Sequence, residues 1–369
     1  MYLNYGDEMT FTQRFVNFGL NQVLDAVRTF YYLPAMEGVY KEKLGLDAPS
    51  VGEIFGRASL LLSNGHVSIN RPKPNLPNVI QVGGMHSRKA KELPKKIQDF
   101  LSSGGDDGFI LFSLGTYLPS SAMSPQKRAI FVNVFSRLKQ KVIWKYESND
   151  IPDLQKNILL SKYLPQQDLL GHDKIRLFIT HCGTGSWEEA IFHGVPQIGI
   201  PFFGEQPLNA RTAENRGYLV RLDWNELTEE RLMEAIQEVI SNPKYRDNVK
   251  QLSAIFRDQI DNPLDRAVYW VYWVEYVMRH KGAYHLRSAA RNLSLIQYHS
   301  LDVIAVYSLI LISFFFVLCL LIKCILSLFR SCWFTETYKY KTNEENLFGA
   351  MSSQHNHYIH STYFLILVR

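Results

Sequence analysis

Cysteine is scarce in this chain and cannot make a scaffold. Of four cysteines in 369 residues, Cys319, Cys324 and Cys332 lie in or beside one apolar run near the C-terminus, and Cys182 stands alone in the main body. A disulfide framework is thereby excluded. No group of Cys and His has zinc spacing, so no metal site is expected. An excess of one charge is missing too. The 40 Lys and Arg against 35 Asp and Glu leave a net +5, scattered and too mild to argue for nucleic acid. There is no GxxxxGK(S/T), and no GxGxxG follows the first regular strand, which sets aside Walker-type nucleotidases and dinucleotide dehydrogenases. The opening MYLNYGDEMTFTQ has neither an apolar stretch nor a basic region, so no signal peptide is read there.

Apolar residues are plentiful. At 46% hydrophobic and 13% aromatic, most of the chain is not disordered. Its length predicts two to three domains of roughly 100–200 residues. Residues 303–322 (VIAVYSLILISFFFVLCLLI) carry no charge. About twenty residues rising 1.5 Å each cross a hydrocarbon core of about 30 Å, so this run reads as a single transmembrane helix. Arg287 and Arg291 precede it, and Lys323, Arg330, Lys339 and Lys341 follow, a bias towards a cytosolic tail over 323–369.

Between 107 and 260 the pattern is regular. Strand-like runs at 109–115, 141–146, 176–181, 197–200 and 218–222 alternate with helical ones. Ser124 before Pro125 caps a helix to about Gln140. Thr228 caps another, whose Leu232, Ala235, Ile236, Val239 and Ile240 make one apolar stripe at helical period. This alternation predicts a doubly wound, parallel α/β domain. Upstream, residues 1–85 read as helical patches and two short strands, interrupted by three prolines between 72 and 77; residues 86–106 read as a linker with a short helix. Downstream, 261–300 opens with an aromatic-rich helix from Asn262-Pro263 to Gly282.

In an open parallel sheet, ligands bind beyond the carboxyl ends of the strands. Three such loops carry polar residues: Ser113 to Thr116, Tyr163 to Gln166, and His181 to Glu189. In the third, glycines precede a helix, whose unpaired amides and dipole suit a phosphate or diphosphate. Glu189, sharing a helical face with Ser186, would repel phosphate but can accept two ribose hydroxyls. Glu205 and Gln206, past the next strand, suit the hydroxyls of a sugar. On spacing alone, the glycines read equally well as ordinary turn residues and the histidine as a structural group.

The stretch 178–206, FITHCGTGSWEEAIFHGVPQIGIPFFGEQ, resembles the signature of the UDP-glycosyltransferases: a strand, Thr-His, two small residues, a helix with an acidic residue, His-Gly-x-Pro, and Asp/Glu-Gln. FSLGT, KYLPQQDLLGH, NLPNVIQVGGMH and the block DNPLDRAVYWVYWVEYVMRHKGAYHLRSAA before one anchor are similar to the membrane-bound animal branch, so the resemblance covers about 5–325. It implies the GT-B fold: a C-terminal Rossmann-like domain (107–260) that binds the UDP-sugar, and an N-terminal acceptor domain, of which 1–85 would be the remnant.

By matching position, the resemblance places Ser113 and Thr116 at the diphosphate loop. Tyr163, in place of the usual uracil-stacking Trp, lies with Leu164 and Gln166 in the base-binding turn. His181, Thr184, Gly185 and Ser186 face the phosphates, Glu189 the ribose, and Glu205 and Gln206 the sugar. Cys182 replaces a common Gly, and Glu205 a common Asp. The family's general base is a His near the start of the N-terminal domain, a region expected to be missing here, so no catalytic residue is assigned. His66 and His86 match that domain's far end and are not promoted.

The implied reaction moves a hexose or glucuronosyl group from a UDP-sugar, with no cofactor, to a lipophilic hydroxyl with inversion. The implied setting is detoxification at the endoplasmic reticulum, with the main domain lumenal. Partners are the donor, a small lipophilic acceptor, the membrane, and, as homo- or hetero-oligomer, related transferases. The competing expectation is a chain that binds donor, or pairs with relatives, without catalysing transfer; as written, the chain is expected to be inactive.

Overall fold

The computed structural model describes residues 9–354 except 46, 48, 71, 104, 149, 150, 153 and 280–282. The helix stop expected at Gly282 and the end of the tail lie outside the described residues. The chain divides into two compact units, Met1–Arg287 and Ser288–Arg369.

The first unit holds a two-stranded parallel pair, β1 (Leu61–Ser63) with β2 (Val79–Gln81). It also holds a six-stranded sheet of β3 (Phe109–Ser113), β4 (Lys141–Lys145), β5 (Ile158–Ser161), β6 (Ile175–Thr180), β7 (Gln197–Gly199) and β8 (Leu219–Arg221). The order is β5-β4-β3-β6-β7-β8, and every pairing is parallel. The chain starts in the middle, winds one way to β5, then returns and winds the other way from β6. This is the doubly wound topology expected from the sequence.

Burial explains why the strands read as continuous apolar runs rather than alternating ones. All five residues of β3 are buried. Ile110 and Phe112 face one layer, packing with Val142, Trp144 and helices Pro125–Ser136 and Glu229–Ser241 through Phe131, Phe135, Leu232 and Ile236. Phe109 and Leu111 face the other layer, with Ile97 and Leu101 of helix Lys95–Ser102 and Ala190 of helix Thr184–His193. The segment read as linker thus lends Leu93, Ile97 and Leu101 to the core of the sheet domain.

Local signals place the helix ends. Ser124 and Thr228 cap as expected, accepting from the Lys127 and Arg231 amides. The helix from Pro125 stops at Ser136, short of the expected Gln140. The cause is distant in sequence: Asn157 Nδ2 donates to the carbonyls of Phe135, Leu138 and Gln140, pairing groups that a further turn would have used.

Helices Phe11–Val27 and Leu33–Leu44 open the chain and bury none of their residues. In the second unit, one helix runs Leu301–Gln354, 54 residues, and its apolar part is long and apolar enough to cross a membrane. The sequence reading found no periodicity after residue 330; a helix exposed on all sides needs no apolar stripe, and 323–354 contains no proline to stop it.

Candidate functional site

Strands β3 and β6 are neighbours, but their following helices lie in opposite layers. A crevice therefore opens beyond their carboxyl ends, where Ser113 pairs in register with Thr180. His181 is the first residue past β6. Its imidazole lies against two turns that only glycine fits: a Cβ on Gly115 would sit 2.6 Å from His181 Cε1, and one on Gly183 would overlap Nε2. Gly115 also has φ +80°. Burial pushes the His181 imidazole below its usual range, against the pull of Glu205, which leaves it neutral near pH 7. Its Nδ1 is buried without a hydrogen-bond partner among the described residues. Cys182 then takes φ +64°, a left-handed conformation costing a non-glycine residue roughly 1–2 kcal/mol. Burial raises the pKa of its thiol, so it is not a reactive cysteine.

Helix Thr184–His193 starts here, with the Thr184 and Gly185 amides in its unpaired first turn. Glu205 sits on that turn: its Oε1 accepts from the Thr184 amide and hydroxyl, both at 3.2 Å. Asn209, one turn further along helix Gln206–Asn215, donates to the Cys182 carbonyl at 3.0 Å and to Thr184 Oγ1 at 3.3 Å. Gln206 is buried and braces the preceding loop, its Oε1 accepting from the Phe202 and Phe203 amides at 2.9 and 3.3 Å. Ser113 is buried at the strand end, its Oγ accepting from the Gly115 amide, and Thr116 is exposed on the loop.

A second corner forms where helix Gln166–Leu170 meets the donor side of helix Thr184–His193. Gln166 Nε2 donates to Ser186 Oγ at 2.9 Å and to Glu189 Oε2 at 2.6 Å. Burial raises the Glu189 pKa, and the bond from Gln166 counters it. Tyr163 projects above this corner, 82% exposed, while Leu164 beside it is buried. The arrangement offers an open aromatic face, a carboxylate and amide for hydroxyls, and a neutral histidine beside a helix N-terminus whose Thr184 amide is held by Glu205. Two stations of different chemistry stand at the start of one helix and one turn along it.

The sequence reading passed over several neighbours. Asn209 lies at i+4 from Glu205, a spacing that signals a shared face. Glu188 turns inward, fully buried, and accepts from the Gly84 amide at 3.3 Å. His86 Nε2 lies 3.1 Å from the Gly185 carbonyl oxygen. No local pattern links His86 to Gly185, because 99 residues separate them. Among the described residues, no cluster of His, Cys, Asp and Glu could hold a metal ion.

Comparison with known proteins identifies the family and the fold. Residues 1–339 match the model of the family described as UDP-glucoronosyl and UDP-glucosyl transferase. UDP-glucuronosyltransferase 2B7 of Homo sapiens is 42% identical over 298 residues, covering 81% of this chain and 55% of the relative. UDP-glucuronosyltransferase 2B14 of Oryctolagus cuniculus is 40% identical over 297 residues, covering 80% and 55%. The chain therefore spans about half the length of these curated relatives. The solved glycotransferase of kitacinnamycin, 19% identical, superposes with a TM-score of 0.53 over 69% of this chain and 65% of that one, which shows a shared GT-B-type fold. The chain belongs to the family of UDP-glucuronosyl and UDP-glucosyl transferases.

Proposed function

We propose that this chain binds a UDP-sugar in the crevice beyond β3 and β6, as the donor half of a glycosyltransferase. The meeting of Gln166, Ser186 and Glu189 within 2.9 Å, about one helical turn from the helix N-terminus that follows His181, is the observation that carries the reading. Tyr163 stacks on uracil, its exposed ring keeping a π face where an indole is usual. Leu164 and Gln166 form the base-binding turn. Glu189 accepts the ribose hydroxyls. Ser113, Thr116, Thr184, Gly185 and Ser186 surround the diphosphate, with His181 as a neutral donor. Glu205 leaves the Thr184 amide as the phosphates arrive, which frees its carboxylate for the sugar hydroxyls beside Gln206.

In the transfer, a base removes the acceptor's hydroxyl proton, and the oxygen attacks the anomeric carbon from the face opposite the diphosphate, which inverts that centre. The His181 donor and the helix amides stabilise the charge that grows on the leaving diphosphate. The acceptor is a small lipophilic alcohol or phenol, and none of the residues placed here is given the role of base. The apolar helix anchors the protein once in the endoplasmic reticulum membrane, with the sheet domain lumenal and the tail cytosolic. That orientation follows the flanking basic residues, and digestion of the sheet domain by protease in sealed microsomes would refute it.

A second reading, donor binding without turnover by this chain alone, is favoured by the opening helices, which bury nothing. UDP release with UDP-glucose or UDP-glucuronic acid and a panel of phenols separates the two. Binding without release is expected of the chain by itself. Turnover that disappears in His181→Ala would instead show a complete enzyme.

A further inference from the structure

Residues 84–91, which join the end of the segment 1–85 to the start of the linker expected over 86–106, cross both helices of the nucleoside corner. On helix Thr184–His193, the Gly84 amide donates to Glu188 Oε2 at 3.3 Å, and His86 Nε2 donates to the Gly185 carbonyl at 3.1 Å. Glu188 Oε2 also lies 3.7 Å from His86 Nδ1, beyond hydrogen-bond distance. On helix Gln166–Leu170, Gln167 Nε2 donates to the His86 carbonyl at 3.0 Å, and the Arg88 amide donates to Gln167 Oε1 at 2.9 Å. The Arg88 guanidinium then grips Asp168 through two bonds, at 2.6 and 3.1 Å, and the Lys91 amide adds a third at 2.8 Å.

Along the segment these contacts pass once from the later helix, Thr184–His193, to the earlier one, Gln166–Leu170. The first helix carries Gln166; the second carries Ser186 and Glu189. Their separation decides whether Gln166 reaches both partners. Helix Gln166–Leu170 is only five residues long and holds no position by itself. Its neighbours Gln167 and Asp168 spend their side chains on the crossing segment rather than on the sheet. Glu188 is the strongest sign of a built arrangement: a fully buried carboxylate facing 84–86, directly beside the ribose-facing Glu189.

We propose that residues 84–91 are a strap that sets the nucleoside half of the donor site, with His86 and Arg88 as positioning residues for uridine recognition. This rests on the donor-site reading above. The strap reaches the uracil-and-ribose corner through Gln167 and Asp168 and the phosphate-facing first turn through Gly185, so loss of Arg88 weakens the nucleoside and the diphosphate unequally, while loss of His86 bears on both. Truncating His86 frees the first turn beneath Ser186; truncating Arg88 frees the turn that presents Gln166.

The test uses the full chain in detergent. UDP affinity is measured by calorimetry, uridine affinity by competition against UDP, and the unfolding temperature in parallel. His86→Ala is expected to weaken uridine roughly three- to tenfold, as for loss of one hydrogen bond, and UDP by at least that factor. His86→Gln, which can still donate to the Gly185 carbonyl, is expected to restore most of that affinity. Arg88→Ala should weaken uridine as His86→Ala does and covers the case in which that variant does not fold. His181→Ala is expected to weaken UDP and leave uridine unchanged. Uridine affinity within twofold of the parent in both strap variants overturns the proposal, even if their unfolding temperatures fall, because the strap would then serve stability alone. Failure of the unsubstituted chain to bind UDP overturns the donor-site reading, and the strap's role with it.

Discussion

Two helices of this chain begin alike and end differently. Phe11–Val27 and Glu229–Ser241 each follow a Thr cap that accepts from a backbone amide three residues on. The second buries Leu232, Ala235, Ile236 and Val239 against β6 and β7; the first buries nothing, and Phe11, Phe15 and Phe18 stand 66–72% exposed. Caps and period are enough to write a helix. Stability comes only when the apolar face meets another. The sheet domain contains both partners of its packing, whereas the opening helices present a face with no counterpart among the described residues.

Truncation at one position in each region should break or confirm that contrast most strongly. Phe112 is fully buried and stacks on Phe131 at 4.6 Å. Phe112→Ala is expected to cost about 3–5 kcal/mol, and Phe15→Ala less than about 0.5 kcal/mol. Denaturant unfolding of both variants measures this, and equal losses would end the comparison. Next in size is Gly115→Ala. It adds a methyl 2.6 Å from the His181 ring at a position with φ +80°. It should cost about 1–2 kcal/mol of stability and weaken UDP more than tenfold by displacing the imidazole. Unchanged UDP affinity would separate His181 from the site.

The smallest effect expected is a pH slope. Burial, with the nearby Arg257, pushes His193, at the end of helix Thr184–His193, down to about 4. The unfolded chain, with the ordinary value of 6.5, then binds the proton first. Stability from this group is complete above about pH 6.5 and drains as pH falls towards 4. The unfolding temperature of His193→Gln should lose that part of its pH dependence. A parent and variant that fall in parallel would show that burial is not what holds the imidazole neutral.

The sequence made the sheet legible because its information there is local. Buried parallel strands are short apolar runs, and Ser124 and Thr228 mark helix starts by their own hydroxyls. The motif from His181 to Gln206 is contiguous, so its placement around one crevice followed from strand ends alone. Asn157 and the residues from Gly84 to Lys91 were not legible, because their partners lie far along the chain and only the folded layers bring them together. Glu188 and Glu189 illustrate the limit: adjacent in sequence, one faces the buried strap and the other the open corner.

UDP binding decides the account most directly. Calorimetry on the parent chain, His181→Ala and Glu189→Gln measures it with one residue just past β6 and one on the helix that follows. Each substitution removes a hydrogen bond to a charged group and is expected to cost about 1.5–3 kcal/mol. Parent affinity retained in both variants would contradict the placement of the donor in the crevice beyond β3 and β6.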